Sequence, residues 1–142
     1  MTLQVLVPLD GSECSSQALE YTLETFPDAV VTTIHVINPI ESVYAVEAGG
    51  LPVAEEWYDN AQERASEIHE DAQEFADEYG VELDTATEVG KPARTMLEYA
   101  DEHEIDQIVM GSHGRTGVER VVLGSVAESV VRRAQIPVTV VR

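Results

Sequence analysis

Cysteine and lysine are almost absent from this chain: Cys14 and Lys91 are the sole examples among its 142 residues. A lone cysteine excludes an intramolecular disulfide and any zinc cluster built on thiolates. Lysine and arginine together number 8 against 27 aspartates and glutamates, for a net charge of −19. So acidic a surface opposes polyanions, which argues against nucleic acid and anionic membranes as partners. No apolar run approaches the roughly 20 residues that a membrane-spanning helix requires. The first residues, Met-Thr-Leu-Gln-Val-Leu-Val-Pro, contain no basic segment or cleavage site and read directly as a strand. These absences point to a cytoplasmic protein. Gly-x4-Gly-Lys-Ser/Thr is missing as well, which disfavours a P-loop nucleotide hydrolase.

What is present suits one packed domain spanning residues 1–142. Hydrophobic residues make up 44% of the chain, enough to place it with globular proteins rather than disordered ones. The charge is unevenly spread. Residues 1–110 carry 25 acids and 3 bases, a net of −22, whereas residues 111–142 carry 2 acids and 5 bases, a net of +3. Many carboxylates with little lysine resemble the cytoplasmic proteins of halophiles, whose self-repulsion salt screens. An acidic partner-binding face is the alternative, and the wide spread of the acids speaks against it.

Strand and helix patterns alternate along the chain. Leu3 to Leu9 is apolar apart from Gln4, as a strand buried on both faces requires. Ser12 is placed to cap a helix through Ala18, Leu19 and Leu23. Val30 to Ile37 is β-branched and reads as a second strand, followed by a long loop from Asn38 to Ala54 with Pro39, Gly49, Gly50 and Pro52. Trp57, Ala61, Ala65, Ile68, Ala72, Phe75 and Tyr79 form one apolar stripe of a helix over 55–79 that Gly80 stops. Val81 to Val89 reads as a third strand, Pro92 opens a helix, and Gln107 to Met110 is a fourth strand. Ser125 to Ala134 reads as the last helix, and Ile136 to Val141 as the last strand. Such alternation implies a parallel sheet with helices on both faces and a ligand crevice at the carboxyl ends of the strands.

The segment 107–126 carries the most chemistry. An apolar run, Ile108 to Met110, breaks into Gly111, Gly114 and Gly117, and Gly124-Ser125 opens a helix. Glycine lets a ligand approach bare backbone, and a helix start offers unpaired N–H groups and a positive dipole end to an anion. Most of the segment lies in the net-positive part of the chain, residues 111–142. Arg115 and Arg120 lie within the loop as phosphate candidates, whereas Arg132 and Arg133 suit the end of the last helix.

Gly111-x2-Gly114-x9-Gly124-Ser125 resembles the ATP loop of the universal stress protein family. Val-Leu-Val-Pro-Leu-Asp-Gly-Ser (5–12), Thr-Ile-His-Val-Ile-Asn (33–38) and Gln-Ile-Pro-Val-Thr-Val-Val (135–141) resemble further family segments in order. The resemblance implies a Rossmann-like α/β fold with strand order 3-2-1-4-5, a stress-response regulatory role, and a homodimer through the last strand. It also implies bound ATP, or AMP or ADP, with Mg2+ or Mn2+ as a further expectation. Gly111 and Gly114 would line the ribose and first phosphates. Gly124, Ser125 and Val126 would hold the distal ones, and Pro8, Asp10 and Val36 would meet adenine and ribose.

Plainer readings stand beside these. Ser125 and Glu128 fit a capping box, Asp10 suits the turn into Gly11-Ser12, and Met110 suits a core or pocket wall. His113 reads as a loop residue contacting phosphate or solvent rather than a base, because no acid in 107–118 is placed to orient it. His35 reads as a core or sheet-face residue. His69 and His103 fall on helices, and Cys14 fills space. The leading function is an adenine-nucleotide-binding regulator with an unidentified protein partner. A slow ATP-hydrolysing enzyme and a partner-binding domain with a vestigial pocket are the alternatives.

Overall fold

The computed structural model describes residues 2–41, 54–112 and 123–142. Five strands run β1 (Gln4–Pro8), β2 (Val30–Ile37), β3 (Asp84–Val89), β4 (Gln107–Gly111) and β5 (Val138–Val141). The helices are α1 (Glu13–Thr25), α2 (Ala54–Asp77), α3 (Pro92–Glu102) and α4 (Ser125–Arg133). All pairings are parallel and the sheet order is β3-β2-β1-β4-β5, as expected. β1 lies in the middle because Val5, Leu6 and Val7 are apolar on both faces, and all three are fully buried.

Alternation along the strands splits the core in two. Val5, Val7, Val31 and Val109 face Ala18, Leu19, Leu23, Ile68 and Ala72 of α1 and α2. Leu6, Ile34, Ile108 and Met110 face Met96, Ala100, Ala127 and Val130 of α3 and α4. Each layer buries a helix stripe with period 3.6 against a sheet face with period 2.

Several boundaries differ from the sequence reading. β3 starts at Asp84 rather than Val81, because the Gln73 side chain takes the bonds a strand neighbour would take. Its amide donates to the Val81 carbonyl at 3.0 Å and its oxygen accepts from the Leu83 N–H at 2.9 Å. α2 ends at Asp77, so Tyr79 lies in the turn before Gly80 and its hydroxyl donates to Glu24 at 3.1 Å. β5 starts at Val138, and Ile136 packs beneath the α3–α4 layer instead. Most of the long loop, residues 42–53, lies outside the described residues.

His69 on α2 is buried against β2 and β3. Its Nε2 lies 3.1 Å from the Ala86 carbonyl, which only accepts, so Nε2 carries the proton. Nδ1 then accepts from the Thr33 hydroxyl at 2.9 Å. Burial lowers the pKa of His69 below its ordinary 6.5, against the opposing Ala86 bond and with a small push from His35. The fold thus favours the neutral ring, and the unfolded chain takes up the proton first as pH falls. The stability from this group is complete above 6.5 and is lost as pH drops through the lower folded value. The melting temperature is therefore expected to fall between about pH 7 and pH 5, and His69→Gln to flatten that part of the slope. An unchanged slope in the variant would remove His69 as its source.

Candidate functional site

The carboxyl ends of β1 and β4 lie side by side, and the N-terminus of α4 points to the same place. A cavity of about 320 Å³ opens there, at the small end of the range for ligand pockets. Eight of the residues singled out in the sequence line it: Pro8, Asp10, Val36, Met110, Gly111, Gly124, Ser125 and Val126. The other three, His113, Gly114 and Arg115, lie outside the described residues, as does Arg120. A larger cavity of about 480 Å³ sits between α1 and α2, where Glu13, Glu20 and Asp71 surround Arg64. That rim opposes an anion, so size does not decide which cavity takes one.

The wall after β1 is a braced turn. Leu9 donates its N–H to Ile34 at 2.8 Å, and its carbonyl accepts from His35 Nδ1 at 2.7 Å. Asp10 Oδ1 accepts from the Ser12 N–H at 2.9 Å, and Ser12 Oγ caps α1 by accepting from the Ser15 N–H at 3.2 Å. The turn needs Gly11, whose φ is +83°. Asp10 therefore holds its own turn as the plainer reading has it, and the same residue lines the cavity.

The wall after β4 is tied at both ends. Buried Ser112 donates its N–H to Val141 at 2.8 Å, and its carbonyl accepts from the Gly124 N–H at 2.7 Å. One residue thereby joins the end of β4 to both β5 and the start of α4. Gly111 has an ordinary negative φ, yet a Cβ there would sit 2.7 Å from the Cys14 carbonyl carbon and Cβ. Its bare Cα lets α1 close on the strand.

The capping box at Ser125 does not form. Gly124 is the N-cap with φ −63° and ψ 156°, and among the described residues no side chain caps the helix. Ser125 is the first helical residue, one position too late to cap. Glu128 turns to Arg132 one turn on, at 2.7 Å. The first N–H groups of a helix have no partner within the helix, and those of α4 stand at the cavity with the positive end of the helix dipole.

Sequence reasoning passed over Ser15, His35, Asn38, Pro92 and Met96, which also line the cavity. Asn38 and Pro92 had a signal, since each closely follows a strand in a fold whose crevice lies at strand ends. Ser112 had the same signal directly after β4. Ser15, in the first turn of α1, and Met96, within α3, had none, because each reads as an ordinary buried helix position.

This arrangement defines an open parallel α/β protein with a crevice where the strand order reverses. The chain belongs to the universal stress protein family, whose sequence model matches residues 1–142. It is 35% identical to universal stress protein MJ0531 of Methanocaldococcus jannaschii, over 98% of this chain and 81% of that one. Among solved structures it resembles MJ0577 of the same organism, with TM-score 0.83 and 30% identity over 99% of this chain and 96% of that one. A universal stress protein solved in complex with cAMP shares the fold, with TM-score 0.72 and 24% identity over 99% of this chain and 97% of that one.

Proposed function

We propose that this chain is a regulatory protein that binds an adenine nucleotide, ATP or else AMP or ADP, in the cavity between β1, β4 and α4. The observation that carries the reading is the start of α4, which no side chain caps among the described residues and which lines the same cavity as Pro8, Val36 and Met110. The N–H groups of Ser125 and Val126 and the Ser125 hydroxyl would donate to phosphate. Met110, Val36 and Pro8 offer apolar surface to a base, and Asp10 an acceptor to ribose hydroxyls. His113, Gly114 and Arg115 join the site through the family's loop pattern. The related protein that holds cAMP supports an adenine nucleotide as ligand.

A divalent ion fits this site only as a companion of phosphate. Asp10 and Glu41 are the carboxylates on the cavity, Asp10 Oδ1 already accepts from Ser12, and no group of three or more metal-ligating side chains occurs among the described residues. Mg2+ or Mn2+ would thus take most of its oxygens from the nucleotide. Calorimetric titration with ATP, ADP and AMP, each with and without Mg2+, tests the reading. Heat of binding from none of them would overturn it. Steady phosphate release at ordinary enzymatic rates, about 1 s⁻¹ or more, would favour an ATP-hydrolysing enzyme instead.

The same proposal extends to assembly and setting. β5 is an edge strand, and Pro137 and Val141 direct their carbonyls to β4, so Val138 and Val140 present their backbone groups to the open side. Pairing two such edges about a two-fold axis would satisfy both. Val140→Pro removes an outward donor and no bond to β4, so it is expected to convert dimers to monomers in light scattering. A wild type already monomeric would sink the dimer. The charge of −19 supports a cytoplasm rich in salt. Screening beyond a Debye length of ~10 Å at 0.1 M is then expected to raise the melting temperature up to molar KCl, and a flat or falling curve would contradict a halophilic setting.

A further inference from the structure

The acids are spread along the sequence, but the fold gathers them by layer. The helices on one face of the sheet, α1 and α2, carry 12 acids and 1 base, a net of −11. Those on the other face, α3 and α4, carry 4 acids and 3 bases, a net of −1. The cavity of about 480 Å³ lies between α1 and α2, on the acidic side. Its apolar lining is Leu9, Leu19, Ile68, Ala72 and Phe75, which form part of the core beneath or pack against it. Glu13, Glu20 and Asp71 line it too. All three are exposed, and none has a hydrogen bond or an ion pair among the described residues. One cation is present, Arg64, whose Nη2 lies 2.7 Å from the point a Gly11 Cβ would occupy, with Ile68 Cδ1 at 3.6 Å from the same point. Its one ion pair among the described residues is to Glu67 at 3.9 Å, with both side chains more than half exposed, and such a pair holds weakly. The groove thus sets a single loosely held cation against three carboxylates, above an apolar floor.

We infer that the groove between α1 and α2 docks a basic amphipathic segment of a partner protein, with an arginine or lysine stem on the apolar floor and its charge among Glu13, Glu20 and Asp71. Both side chains bury an apolar stem and keep a charged head at the rim, which is the match this groove requires. Arginine also stacks on an aromatic ring, and Phe75 supplies one, with the Tyr79 ring 5.5 Å from it. Other occupants fit less well. A nucleotide or other polyanion meets three carboxylates, and a second copy of this chain brings its own charge of −19. A small organic cation fits the cavity but leaves most of the field unused. α2 runs 24 residues, about 36 Å, and of its nine acids only Asp71 lines the cavity. A segment with several positive charges uses the rest. Docking here needs no nucleotide in the other cavity. Near 1 M salt the Debye length falls to about 3 Å, and the apolar floor then carries more of the affinity.

The probe is a short fluorescent peptide with arginines and leucines on opposite faces of a helical repeat, followed by anisotropy in about 0.15 M KCl. Two double charge reversals separate the groove from the overall charge. Glu20→Lys with Asp71→Lys alters the groove, and Asp101→Lys with Glu102→Lys alters α3, and the net charge changes equally in both. The groove pair is expected to weaken the peptide roughly tenfold, as the reversal of two exposed contacts does. The α3 pair is expected to cost no more than about twofold, because screening mutes charges farther away than a Debye length. Equal losses in the two variants would overturn the inference, since net charge alone would then explain the attraction. A peptide with serine for each leucine is expected to bind more weakly, and equal affinity would also overturn it. Arginine amide binding as tightly as the peptide would replace the partner protein with a small organic cation. Methyl 1H–13C spectra of wild type give an answer that needs no variant. The signals of Leu19 and Ile68 are expected to shift as peptide is added. Shifts confined to methyls of the α3–α4 layer, such as Met96 and Val130, would overturn the inference, as would the absence of saturable binding.

Discussion

Ser125→Pro is expected to abolish nucleotide binding and leave the fold intact. Ser125 is the first residue of α4, where proline's missing N–H costs the helix nothing and its fixed φ suits the turn. Gly124 before it is extended, at φ −63° and ψ 156°, which is the conformation a residue preceding proline adopts. The helix therefore accepts the substitution. The ligand does not, because the change removes the hydroxyl and one N–H from the anion-facing end. Each hydrogen bond to a charged group is worth about 1.5–3 kcal/mol, so losing two weakens binding at least a hundredfold. Circular dichroism and calorimetric titration of the same sample check both halves. A folded variant that keeps wild-type affinity would remove α4 from the site.

Gly111→Ala is expected to destabilise the protein by about 1–3 kcal/mol, the usual cost of overfilling a close-packed contact. The added Cβ would meet the Cys14 carbonyl carbon and Cβ at 2.7 Å and its carbonyl oxygen at 2.9 Å. Two of those three atoms are backbone, so no rotamer change relieves the clash, and α1 must shift from β4. A drop in melting temperature of about 3–10 °C follows for a chain of this size. Cys14→Gly in the same background is expected to restore only part of it, since the backbone contacts remain. A melting temperature unchanged by Gly111→Ala would show that α1 moves freely at that point. The glycine thus has a steric duty within the fold besides any exposure of backbone to a ligand.

Much of this architecture was legible in one dimension because its signals are local. The run Val5 to Val7, apolar at every position, has one stable fate, a central strand covered on both sides. The stripe through Ala65, Ile68 and Ala72 can only be a helix face, and Ser12 caps α1 because cap chemistry is settled within four residues. Gly111, Gly124 and Ser125, picked out by their spacing, line one cavity, since a strand end and a helix start are both reached within one segment.

The departures share one cause, competition from residues distant in sequence or one register away. Gln73 takes the backbone groups of Val81 and Leu83 and delays β3, and no pattern within 81–89 announces that. The capping box would have Glu128 reach back to Ser125, but the helix starts one residue earlier with Gly124 as its N-cap, and Arg132 attracts Glu128 as a full charge.

By itself the sequence determined the class of fold, the order of its elements and the strand end and helix start that meet at the cavity, because periodicity, caps and glycine spacing act over a few residues. Only the tertiary structure decided that Ser112 ties three elements together, that Gly111 is bare for the sake of Cys14, and that His35 spends a ring nitrogen on the Leu9 carbonyl. Those assignments depend on which atoms meet across the sheet, and a hydrogen bond or a clash is settled within a few tenths of an ångström that no residue pattern encodes.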